Sequence, residues 1–108
     1  MSQELFNRLS ARLTNVTNFK AQTDKGAVNT IIRGEVGDIP IVMIVRDIAD
    51  NLVKVEVSAS AQENAIYSTL GFTTVADDVA VVADNIVKAL QDCVDNVTKV
   101  QEKCIVKV

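Results

Sequence analysis

The sequence predicts an α+β domain: a small antiparallel sheet, a meander of three to four strands, with an N-terminal helix and a long C-terminal helix packed on one face. Three observations predict it. Leucines recur at helical spacing near the start, segments of strand character separated by turn residues fill the middle, and the last third carries an apolar seam at alternating spacings of three and four. With 108 residues and 48% hydrophobic content, residues 1–108 are expected to form one domain that closes a single core without metals or disulfides. Aromatic residues make up only 4%, so that core must come from Val, Ile, Leu and Ala.

Leu5, Leu9 and Leu13, with Phe6 beside them, predict a first helix over residues 2–14, its outer side supported by Glu4 and Arg8 four apart. From Val16 to Asp24 the pattern weakens. Phe19 and Ala21 can seat a short strand there, and Asp24-Lys25-Gly26 reads as a turn. Three runs of strand character follow, separated by turn signals at Gly37-Asp38 and at Ala49-Asp50-Asn51. The central run, 39–45, is almost wholly apolar, which places it mid-sheet or covered on both sides, and Pro40 sits near its start where a missing donor costs least. In the third run Val53, Val55 and Val57 share one face while Lys54 and Glu56 share the other, so the sheet should be covered on one side and wet on the other.

Residues 61–70 carry conflicting signals. Ser60 followed by Glu63 resembles a capping box, and Leu70-Gly71-Phe72 a helix stop, which favours a short helix. Ile66, Tyr67, Thr69, Phe72, Thr73, Thr74 and Val75 are strand formers and argue for a fourth strand instead. A final helix over about residues 75–103 would be capped by Thr74 and Asp77. Asp77, Asp78 and Asp84 lie early in it and Lys99 and Lys103 late, the order its dipole favours. Residues 105–108 would fray or add an edge strand.

The absence of histidine removes the commonest general base and metal ligand, and with it every Ser-His or Cys-His nucleophile pair. Glycines at 26, 34, 37 and 71 are too dispersed for a phosphate loop or a dinucleotide fingerprint. Cys93 and Cys104 stand roughly 16 Å apart along one helix, too far for an intrachain bridge, and without histidines they complete no zinc site; both read as core thiols. Asp77 with Asp78, Asp92 with Asp95 and Asp47 with Asp50 have generic spacing that capping and solvated faces explain. Asn15-Val16-Thr17 and Asn96-Val97-Thr98 match the glycosylation pattern, with chance as the simpler reading. The expectation is therefore no enzyme, no cofactor and no metal.

A net charge of -3 and a thin basic stretch, Arg8, Arg12, Lys20 and Lys25, give no footing for nucleic acid. The opening segment lacks a basic and apolar leader and no run approaches a membrane span, so the chain is expected to be cytoplasmic. The same order of elements occurs in unrelated small binding proteins, effector-binding secretion chaperones among them, although no motif ties the chain to any of these.

The positive signal is the last helix. One seam runs through Val79, Val82, Ile86, Leu90, Cys93, Val97, Val100 and Cys104, and a second through Ala80, Ala83, Val87 and Val94; together they are wider than one sheet face needs. Val79, Val82, Ile86, Val87, Leu90, Cys93, Val94, Val97 and Val100 are thus the candidate interface. The predicted function is a non-catalytic protein-binding module, a small acidic adaptor, chaperone or inhibitor, of viral or mobile-element origin among the options, that forms a homodimer through this helix. The alternative is a ligand-binding or carboxylate-dependent enzymatic domain with a pocket between helix and sheet, using Asp77 or Glu63.

Overall fold

A computed structural model describes residues 2–23, 29–61, 66–75 and 77–106. The elements run α1 (Ser2–Arg12), β1 (Val16–Thr23), β2 (Asn29–Val36), β3 (Ile39–Ala49), β4 (Leu52–Ala61), β5 (Ile66–Val75) and α2 (Val79–Val106). All strands pair antiparallel with their sequence neighbours, in the order β1-β2-β3-β4-β5. The α+β class and the meander agree with the sequence reading; the sheet has five strands instead of three or four.

The turns predicted at Gly37-Asp38 and at Ala49-Asp50-Asn51 form where expected. Gly37 has φ 62° and Asn51 φ 56°, left-handed values that these two residue types tolerate at hairpin tips. The run 39–45 lies in the centre of the sheet, as predicted, within β3. The alternation predicted for the third run also appears: Val53, Val55, Val57, Ala59 and Ala61 are buried and Lys54 and Glu56 exposed.

Residues 66–75 form strand β5, which overturns the short helix over 61–70; 62–65 lie outside the described residues. Pairing decides the matter. Phe72 sits opposite Val55 and Leu70 opposite Val57, contacts that local capping signals cannot anticipate. The strand reaches Val75, so α2 starts at Val79 and runs to Val106, and residues 105 and 106 extend the helix instead of adding a strand. Its N-cap is Asp78, whose Oδ1 accepts from the Ala80 amide at 2.9 Å and whose carbonyl accepts from Val81 and Val82 at 3.1 and 3.2 Å. Thr74 and Asp77, the caps expected from sequence, precede this point. Helix α1 ends two residues earlier than the predicted 2–14, and Glu4 and Arg8 make the expected pair at 3.8 Å.

The weak segment after α1 is a full strand with a bulge. Its register shifts between Thr17 and Lys20, and Asn18 takes φ 53°. Opposite the bulge, Gly34 admits the chain: a Cβ there would lie 2.5 Å from Val16 Cγ1. The bulge turns Phe19 toward α1, where its ring stacks on Phe6 with centroids 4.9 Å apart. The predicted turn at 24–26 lies outside the described residues.

One core holds both helices against one face of the sheet. Leu5 and Leu9 of α1, Ile32 of β2, Ile41 and Met43 of β3, Val53, Val55 and Val57 of β4, and Val82, Ile86 and Val97 of α2 are all essentially inaccessible. Arg12 of α1 also pairs with Asp84 of α2 across the top of this layer. Among the described residues no helix covers the other sheet face.

Candidate binding surfaces

The predicted interface seam closes the chain's own core. Val82, Ile86, Leu90, Cys93 and Val97 are 0–2% exposed against the sheet. Val79, Val87 and Val94 are half-buried and pack on that core, and Ala83 of the second stripe is buried. The second stripe lies on the side of the first helix: Ala80 and Ala83 share a shallow cleft with Arg8, Ala11 and Arg12 of α1, and Val87 and Val94 line another with Leu13 and Val16. Of the nine candidate residues only Val100, in the last turns of the 28-residue helix, is exposed, at 45%. Helical period reveals an apolar face but not what covers it, and here the cover is this chain's β4, β5 and α1.

Cys93 is buried, and its Sγ approaches the Val57 carbonyl at 3.7 Å. Burial pushes the thiol pKa up; a hydrogen bond with Ser68 acts against that rise and the Asp92 charge adds to it. The neutral thiol is the form this position holds, which suits a core role and not a nucleophile.

Every carboxylate among the described residues is exposed, Asp77, Asp78, Asp92, Asp95, Asp47 and Asp50 included. Glu63 lies outside the described residues. No group of three or more Cys, Asp or Glu side chains among the described residues is placed to hold a metal ion. A cleft of about 240 Å³ opens between the end of α1 and α2, lined by Arg12, Leu13, Asn15, Val36, Gln91 and Asp95 among others. Asp77, the described one of the two carboxylates named for a catalytic pocket, does not line it. No helix of the described residues is long and apolar enough to cross a membrane.

The open sheet face has the more distinctive chemistry. Down its middle Pro40, Val42 and Ile44 of β3, with Ile31 of β2 directly opposite Ile44, form a half-buried apolar strip. Around the strip, register places like charges face to face. Lys20 of β1 is opposite Arg33 of β2, and Arg46 of β3 is opposite Lys54 of β4. Like charges directly across a ladder destabilise a sheet by a few tenths of a kcal/mol to about 1 kcal/mol. The two acidic groups on this face are already engaged: Glu56 pairs with Lys54 at 3.9 Å, and Glu35 accepts from Asn18 Nδ2 at 3.3 Å. A chain of net charge -3 thus carries four basic and two acidic side chains on the described part of one face. Single-residue reading missed this cluster because its members come from four strands; the signal that could have found it is the register of the β1–β2 and β3–β4 hairpins.

No family, no characterised protein and no solved structure matches the chain.

Proposed function

We propose that the protein is a non-catalytic protein-binding module of the adaptor, chaperone or inhibitor kind, and that its open sheet face receives an acidic segment of a protein partner. One observation carries this reading: two cross-strand pairs of like positive charge, Lys20 with Arg33 and Arg46 with Lys54, frame a half-buried apolar strip. The Lys20–Arg33 pair acts against folding, and a carboxylate-bearing partner turns the same repulsion into attraction. The strip supplies apolar area to bury, and the basic frame supplies orientation and association rate. Self-association belongs to the same reading. The part of α2 that stays accessible for it carries Val81, Lys88, Asp92 and Val100.

The test is a titration followed by amide chemical shifts, with a peptide alternating Glu and Leu as probe and a single-stranded oligothymidylate as its competitor class. Binding of the peptide, with shifts confined to β1–β4 of the open face and at least a tenfold loss in Arg33→Glu, is the expected result. Binding of the oligonucleotide but not the peptide replaces the protein partner with nucleic acid, and no shift with either probe removes the face from consideration.

A further inference from the structure

The two edges of the sheet are built differently. β1 is interrupted by the Asn18 bulge and carries Lys20, two devices that keep an edge from pairing with another chain. β5 has neither. Its ten residues, Ile66-Tyr-Ser-Thr-Leu-Gly-Phe-Thr-Thr-Val75, contain no charge and no proline, are rich in strand formers, and pair with β4 without a register shift from Ile66 to Val75. Along it Tyr67 is 69%, Val75 53% and Leu70 37% exposed.

We propose that β5 is the interface for a second copy of this chain, joined antiparallel about a two-fold axis at Gly71 so that two five-stranded sheets become one of ten. The proposal rests on the self-association part of the binding-module reading and is independent of the open face. Antiparallel pairing centred on one residue keeps each side chain on its own face. With Gly71 at the axis, Leu70 lies opposite Phe72 of the partner subunit and Tyr67 opposite Val75 of the partner subunit. Thr69 then meets Thr73 of the partner subunit. Each exposed apolar residue of β5 gains an apolar neighbour, and the threonines form a favoured cross-strand pair.

The charges beside the edge favour a second copy over an unrelated strand. Lys88 and Asp92 of α2 flank Leu70 and Phe72 in a shallow cleft that also includes Asn85 and Ala89. A two-fold at this level brings the two α2 helices antiparallel, with Lys88 of each facing Asp92 of the partner subunit, a self-complementary pairing that an isologous interface requires. Ala89, small and buried, leaves room for the approach.

The experiment is solution mass by light scattering with reductant present, on the wild type, Leu70→Lys, Lys88→Asp and the double reversal Lys88→Asp/Asp92→Lys. A wild-type mass near twice the 11.7 kDa chain supports the proposal if Leu70→Lys falls to a single chain with unchanged far-UV dichroism. Lys88→Asp should weaken the dimer roughly tenfold and the double reversal restore it. Lys88 is exposed, so this pair stays informative if Leu70→Lys fails to fold. Gly71→Cys reports the axis: a Cβ there meets nothing closer than 3.7 Å, and air oxidation should link two chains through that position. A monomeric wild type at about 100 micromolar overturns the proposal, as does a dimer indifferent to Leu70→Lys and Lys88→Asp, or a mass that climbs past two chains with concentration. None of these variants touches Lys20, Arg33, Arg46 or Lys54, so loss of the dimer and loss of acidic-peptide binding are separate results.

Discussion

The two faces of the sheet are made by the same five strands and follow opposite rules. On the covered face β3 contributes Ile39, Ile41, Met43 and Val45, all buried, and α2 closes over its neighbours with Val82, Ile86 and Val97. One residue along the same strand, Val42 and Ile44 sit half-exposed with Arg33 and Arg46 close by in the ladder. Stability is concentrated on one side of a layer one residue thick, which leaves the other side free to carry arrangements that oppose folding, such as Lys20 opposite Arg33.

The largest test of that division compares adjacent residues. Met43→Ala removes a fully buried side chain and should cost about 2–5 kcal/mol, whereas Ile44→Ala, one step along and on the open face, should cost roughly 1 kcal/mol. Urea unfolding of both variants measures the contrast, and equal losses would mean that the open face is covered in solution. Next is Arg33→Glu, which removes the repulsion from Lys20 and should raise stability by up to about 1 kcal/mol while it weakens binding of an acidic partner. Stability gained as affinity is lost is the signature expected of a face shaped by a partner.

A smaller effect comes from the Cys93 thiol on the covered side. Burial raises its folded-state pKa above the ordinary value of 9.0, so the stability contributed by the neutral thiol is complete below pH 9 and is lost as pH rises through the folded value. Wild type should therefore lose stability at high pH more steeply than Cys93→Ala, as melting curves of the two from pH 7 to 10.5 would record. Least is expected from Arg12→Ala, which breaks the ion pair to Asp84. Both partners are about half exposed, so the cost should stay within about 1 kcal/mol and shrink further in salt.

The fold was largely legible wherever the determining interactions were local. Leu5, Leu9 and Leu13 announced α1, Gly37 and Asn51 marked the hairpin tips, and Val53, Val55 and Val57 declared which side of β4 faces inward. β1 was obscured because the Asn18 bulge breaks its alternation. β5 was misread because Ser60 with Glu63 and Leu70 with Gly71 are genuine helix signals that lose to pairing with β4, a contact between separate segments. The seam of α2 illustrates the same limit for function: its residues were correctly seen as an apolar face, yet periodicity carries no information about whether a sheet or a second molecule lies beneath. The basic cluster of the open face was invisible for a related reason, since Lys20, Arg33, Arg46 and Lys54 become neighbours only through register.

The order of the strands has a consequence for how the molecule comes together. Each strand pairs with the one before it in sequence, so the meander can zip up hairpin by hairpin through short loop closures, the arrangement that favours rapid folding. The cover over β4 and β5 arrives last, because α2 follows all five strands, whereas α1 is made first. Until that helix docks, Ile41, Met43, Val55 and Val57 face water, and a ribosome-bound chain passes through an interval in which the ladder exists without its lid. Docking of α2 is thus the step expected to commit the chain, and residues such as Ile86 should govern how fast it unfolds more than how fast its hairpins form.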